Sequence, residues 1–166
     1  MRYHNITTDD MRNGDGLRVV LWVSGCAHGC IGCHNPMTWD PEDGLIFDED
    51  AKREIWDALQ KDYISGITFS GGDPLHPANK TEVVSLMREI KDSFPDKTIW
   101  LYTGDTFETF MKEPFLAYVD VCVDGKFVLE RKDTKLCWKG SKNQRVIAVQ
   151  KTLQSGEIIL HCEDYK

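Results

Sequence analysis

The chain has 166 residues, 41% hydrophobic and 28% charged, with a formal net charge of -7. That is one domain's worth of chain with enough apolar material for a core, which excludes a disordered segment and argues against separate cofactor and substrate modules. No apolar run reaches the roughly 18 to 20 residues of a membrane span, Met1-Arg2-Tyr3-His4-Asn5 begins no signal-peptide core, and the acidic balance speaks against nucleic acid as main partner. A single cytoplasmic domain, 1–166, is expected.

Leu17 to Val23 (LRVVLWV) is a short β-branched run that suits a buried strand. From Asp48, an N-cap, apolar residues at Ala51, Ile55, Ala58 and Leu59 form the stripe of a core-facing helix that fades near Asp62. Residues 67–70 (ITFS) predict a second strand, closed by the turn formers Gly71-Gly72-Asp73-Pro74. Asn79 with Glu82 resembles a capping box, after which Val83, Leu86, Met87, Ile90 and Phe94 keep one apolar face until Pro95. Thr98 to Tyr102 predicts a third strand, followed by Thr103-Gly104 and a short helix opening at Asp105. Residues 119–123 predict a fourth, ending at Asp124-Gly125, and 145–149 and 157–160 two more. Strands alternating with helices indicate an α/β fold with a mainly parallel sheet, whose ligands sit at the carboxyl ends of the strands. Every motif lies at such an end. A closed eight-fold barrel takes about 250 residues, so an open partial (β/α) barrel is expected.

Six cysteines are unevenly spread: Cys26, Cys30 and Cys33 fall within eight residues, while Cys122, Cys137 and Cys162 are scattered. In a reducing compartment such thiols are ligands or catalysts rather than disulfides. The loop offers three thiolates with Gly25, Gly29 and Gly32 between them, and three chemistries compete for it. Zinc needs a fourth ligand, from His28, His34 or Cys162, and would make the chain a metal-stabilised binding module. A redox pair uses Cys30 and Cys33 and leaves Cys26 unexplained. A 4Fe-4S cluster on three cysteines keeps one iron open to a substrate.

Cys26-x-x-x-Cys30-x-x-Cys33 resembles the radical S-adenosylmethionine superfamily. There the open iron chelates the amino and carboxylate groups of S-adenosylmethionine, and the reduced cluster cleaves it to methionine and a 5′-deoxyadenosyl radical. Ser70-Gly71-Gly72-Asp73-Pro74 is similar to that superfamily's Gly-Gly-Glu-Pro turn, which binds the methionine amino group, with Asp in place of Glu. One departure is Gly32, where the superfamily commonly has an aromatic residue near the adenine. It moves the likeness towards the activating proteins of anaerobic ribonucleoside-triphosphate reductases. These are similar in Gly25-Cys26-x-His28-x-Cys30-x-Gly32-Cys33-His34-Asn35, Asp73-Pro74-Leu75-His76-Pro77, Val123-Asp124-Gly125-Lys126-Phe127 and Trp138-Lys139-Gly140-Ser141-Lys142-Asn143-Gln144-Arg145.

The resemblance implies iron held by Cys26, Cys30 and Cys33. It places S-adenosylmethionine against Gly32, Cys33, His34, Gly71, Gly72 and Asp73. It further implies a glycyl radical raised in a partner reductase and a low-potential electron donor such as flavodoxin. A pyruvate formate-lyase activase or a small-molecule radical enzyme would use the same chemistry.

Plainer readings apply elsewhere. His28 and His34 read as loop residues beside the cofactor rather than ligands, Cys122 as a small core residue, and Trp22, Trp56 and Trp100 as core. Segment 130–145 carries six basic residues against two acidic ones, which suits either docking an acidic partner or a solvated loop. Within it Gly140 to Arg145 offers many donors, for S-adenosylmethionine or for the reductase.

Overall fold

The apolar run Leu17–Val23 forms a strand buried along almost its whole length, which is why it shows no alternation in sequence. The computed structural model describes residues 1–164. Seven strands make one sheet: β1 (Arg2–Asp10), β2 (Leu17–Val23), β3 (Leu45–Ile46), β4 (Ile64–Gly71), β5 (Thr98–Tyr102), β6 (Val121–Asp124) and β7 (Arg145–Ala148). The three α-helices are α1 (Glu49–Leu59), α2 (Lys80–Ser93) and α3 (Val149–Ser155).

The spatial order is β3-β1-β2-β4-β5-β6-β7. The central strands β2, β4, β5 and β6 run parallel and lie side by side in chain order, without a reversal. Their carboxyl ends therefore share one rim. The margins are antiparallel: β1 on β2, β3 on β1, and β7 on β6. The sheet is thus mixed, with a parallel centre, and it is open, with β3 and β7 at its edges.

α1 and α2 cover one face. Val19, Leu21, Ile67, Phe69, Ile99, Leu101 and Cys122 from the strands pack there with Ile55 and Leu59 of α1 and Val83, Met87 and Ile90 of α2. Each such large side chain contributes about 1.5 to 3 kcal/mol by leaving water. The other face holds a smaller cluster of Trp100, Val121, Val123 and Val146, with Tyr102, Trp138 and Cys162 against it. Arg18 is fully buried on that side. Its guanidinium donates to Thr68 and Thr98 hydroxyls and to the carbonyls of Asp15, Ile67 and Thr98, and lies 5.4 Å from the Trp100 ring. Burial lowers its pKa to about 10, so it stays a cation at neutral pH. Of the three tryptophans read as core, Trp100 alone is fully buried; Trp22 and Trp56 are half-buried.

Asp48 caps α1, its carboxylate accepting from the Ala51 amide at 2.9 Å. The expected capping box at α2 does not form. Asn79 makes no side-chain cap there; its amide donates instead to the carbonyls of Ser24 (2.7 Å) and Asp73 (3.1 Å). Glu82 takes the chain's amino terminus at 3.0 Å. The short helix expected at Asp105 is a 3-10 turn at Phe107–Thr109. Residues 157–160 are no strand: they run beside β7 with a single isolated bridge, Ile147 to Leu160. The strand expected to reach Val149 stops at Ala148, where α3 begins, and Gly156 ends that helix in the left-handed conformation at φ 76°. β1 was not expected. Its sequence is largely polar, and Ile6 is its one buried residue.

Candidate functional site

A cavity of about 450 Å³ opens at the carboxyl ends of β2, β4 and β5, a size ordinary for small-molecule sites. Cys26, Cys30 and Cys33 line it from the loop after β2, each half-buried. Gly25, at φ 104°, makes the turn out of β2 that no side-chain-bearing residue adopts readily. Segment 36–39 returns over the loop and clamps its base: Gly25 N donates to Thr38 O at 2.6 Å and Cys26 N to Trp39 O at 3.0 Å. Farther along, Cys33 N donates to Cys30 O at 3.2 Å, and the Asn35 amide points at the Cys33 sulfur at 3.4 Å.

The three sulfurs do not converge as ligands of one ion must. Among the described residues, the group of His, Cys, Asp or Glu side chains drawn that close together is His28, Asp73 and Asp105, and it contains no cysteine. Three thiols lining one cavity, with the Asn35 amide aimed at one sulfur, can take a multi-iron cluster. Burial, the largest influence on it, raises the pKa of the Cys26 thiol against the opposing pull of the His28 backbone amide.

The Gly-Gly-Asp-Pro turn and the cysteine loop form one bonded unit. Gly72 N donates to Val23 O and Asp73 N to Gly25 O, both at 2.7 Å. A Cβ on Gly72 would stand 2.5 Å from the Gly25 carbonyl oxygen, so only glycine lets the two backbones meet this closely. Gly71, Gly72 and Asp73 all line the cavity. Asp73 is 3% exposed, and its carboxylate accepts from the amides of Leu75 (2.9 Å) and Gly104 (3.2 Å) and from the Thr103 hydroxyl (3.0 Å). His28 Nε2 lies 2.5 Å from the same carboxylate. That hydrogen bond raises the pKa of His28, against the opposing effect of burial.

Other expected residues divide. His34 lines the cavity, its ring 5.8 Å from that of Phe127. Gly32 is not on the wall; its neighbour is Leu129, which a Cβ would meet at 2.9 Å. Cys122 lies fully buried in β6, as read from the sequence, and burial raises its pKa well above the usual range. Cys137 is buried and Cys162 half-buried, away from the cavity wall; burial, then contact with Cys137, pushes Cys162 up to about 12.

Segment 130–145 is in part an internal brace rather than free charge. Arg145 pairs with Asp124 at 2.5 Å and with Glu108 at 2.8 Å, and this contact holds Glu108 down at about 2. Lys139 donates to Gln144 O and pairs with Asp164. Ser141 is buried, and the Gln144 side chain ties Gly140 and Ser141 to Gly125. Gly140, Lys139 and Gln144 still reach the cavity. Sequence reasoning missed Met11, Arg12 and Asn13, which line the cavity from the β1–β2 connection and carry no local signal.

A family described as a 4Fe-4S single cluster domain matches residues 12–147. The anaerobic ribonucleoside-triphosphate reductase-activating protein of Enterobacteria phage T4 is 45% identical over 146 residues, 88% of this chain and 93% of the relative. Those of Vibrio cholerae (43% over 148 residues, 87% and 96%) and Escherichia coli (40% over 150 residues, 88% and 97%) are similar along the same length. The thiol loop, the turn bonded to it and this likeness along most of the chain together mean that the chain belongs to the family of anaerobic ribonucleoside-triphosphate reductase-activating proteins, with a 4Fe-4S domain.

Proposed function

We propose that this chain, acting as one domain over 1–166, activates an anaerobic ribonucleoside-triphosphate reductase by generating its glycyl radical. Cys26, Cys30 and Cys33 hold a 4Fe-4S cluster in this reading, and S-adenosylmethionine occupies the cavity at its open iron. The observation that carries it is the bonded unit of cysteine loop and Gly-Gly-Asp-Pro turn, which presents three thiols and a buried carboxylate to one cavity. The chemistry a bound cluster supplies is one-electron reductive cleavage of S-adenosylmethionine, whose 5′-deoxyadenosyl radical takes a hydrogen atom from a glycine Cα of the reductase.

The chain's own residues orient and shield. Gly71 and Gly72 bring backbone carbonyls within reach of the methionine end, while Asp73 supplies the negative charge an ammonium needs. Cys33 and His34 border the same ligand, with Gly32 shaping the loop behind them. Tyr102, Thr103 and Gly104 wall the far side. Parallel strands following one another in space without reversal support a partial (β/α) barrel. Its open side would admit a loop of a macromolecular substrate. Six free thiols among the described residues accord with a reducing cytoplasm, where a low-potential donor such as flavodoxin would feed the cluster.

The test is anaerobic reconstitution with iron and sulfide, followed by reduction in the presence of S-adenosylmethionine and the partner reductase. The expected result is 5′-deoxyadenosine together with a glycyl-radical signal in electron paramagnetic resonance. A colourless zinc protein, or a small molecule consumed with no radical in the reductase, would overturn the reading.

A further inference from the structure

The Asp73 carboxylate is saturated by its own chain. A carboxylate offers about four lone-pair sites, and the Leu75 amide, the Gly104 amide, the Thr103 hydroxyl and the His28 ring all point at it. Three of these belong to the strand ends of β4 and β5. His28 alone comes from the cysteine loop. Its ring abuts Gly104, where any Cβ would stand 2.4 Å from it. A second acid is within reach, because His28 Nε2 lies 3.7 Å from Asp105 Oδ1. The ring therefore has another seat if it leaves Asp73.

We propose that His28 is a stand-in for the methionine ammonium of S-adenosylmethionine: it occupies Asp73 until that ammonium takes the carboxylate, and then turns to Asp105. The inference rests on the proposed function, in which Asp73 meets the methionine end. The physical reason for such a device is the cost of leaving one acceptor position of a buried carboxylate unfilled, since Leu75, Gly104 and Thr103 supply only three of its donors. His28 meets that need while the cavity is empty, and competes with the ligand as a consequence.

The experiment is equilibrium dialysis of S-adenosylmethionine against the reconstituted wild-type protein and the His28→Ala and His28→Gln variants, each with its iron content and circular dichroism confirmed. Removing the competitor in His28→Ala should tighten binding about threefold to tenfold. Glutamine can still donate to Asp73, so His28→Gln should stay within about twofold of wild type. The same dialysis with 5′-methylthioadenosine, which lacks the ammonium, should show no change between wild type and His28→Ala. Weaker or unchanged binding of S-adenosylmethionine by His28→Ala would overturn the proposal. Equal tightening for both ligands would do so as well, since it would mean that only space had been gained. Failure of the iron-loaded wild type to bind S-adenosylmethionine at all would instead sink the proposed function, and this competition with it.

Discussion

Six cysteines of one chain fall into two environments, and the difference between them lies in whether each faces a cavity at the strand ends or packed side chains. Cys26, Cys30 and Cys33 follow the carboxyl end of β2, half-buried and facing a cavity. Cys122 points from the middle of β6 into the packed face beneath the helices, and Cys137 and Cys162 meet beside the Trp100 cluster. Burial raises the thiol pKa in both groups, at Cys26 as at Cys122 and Cys162. What separates them is room for a ligand. A buried thiol with packed neighbours is a small hydrophobe, whereas a thiol at a strand end, in a loop bent by glycines, can be deprotonated by a metal.

The largest expected effect follows directly. Alanine at Cys26, Cys30 or Cys33 should abolish the cluster and reduce glycyl-radical formation by at least about a hundredfold, the upper end of what losing a mere outer-shell partner costs. Iron content and radical yield, measured on the same sample, check this. Alanine at Cys137 or Cys162 should leave iron content unchanged. A scattered cysteine as necessary as the loop three would erase the distinction.

Next in size is Asp73→Ala, which strips the acceptor from the Leu75 and Gly104 amides and the Thr103 hydroxyl in a buried place. A loss of about 3 kcal/mol in stability is expected, along with at least tenfold weaker binding of S-adenosylmethionine, roughly the value of one charged hydrogen bond. Thermal unfolding and equilibrium dialysis measure the two separately. Wild-type affinity in the variant would remove Asp73 from the site.

Cys122→Ala gives a smaller, purely structural effect. Removing one buried sulfur should cost about 1 kcal/mol, read from urea unfolding, with iron content and S-adenosylmethionine cleavage intact.

These contrasts also mark what was legible in the chain. β2 and β5 were bounded correctly because their residues are apolar runs between turn formers, and Asp48 announced its cap by chemistry alone. β1 was invisible because it pairs near the sheet margin with mostly polar side chains, so burial imposes little pattern on it. α3 was missed because its seven residues bury only Val149 and Thr152, too few for a helical stripe. At the site, the cysteine loop and Gly-Gly-Asp-Pro stood out through the family resemblance and their places after two strands, and the structure brings both to one cavity. The donors that occupy Asp73 could not be read, since Thr103 and Gly104 come from a strand end about thirty residues away. Nor could charge alone reveal that Arg145 is spent on Asp124 and Glu108.

That brace predicts the smallest effect. Arg145 holds Glu108 at about 2, below its ordinary 4.5. A depressed carboxylate contributes stability above its unfolded pKa and loses it as pH falls from about 4.5 towards about 2. Glu108 is half-exposed, so the contribution should be under about 1 kcal/mol. Glu108→Gln should therefore unfold slightly earlier than wild type at neutral pH, with the difference vanishing near pH 2. A constant offset across that range would mean that the pair does not titrate with folding.

The most direct test of the central claim is electron paramagnetic resonance of the reduced, reconstituted protein before and after S-adenosylmethionine is added. If the loop cysteines leave one iron open beside the Gly-Gly-Asp-Pro turn, protein carrying about four irons per chain should change its cluster signal on addition, and Asp73→Ala should need more ligand to do the same. A cluster signal that stays identical at saturating S-adenosylmethionine would contradict it.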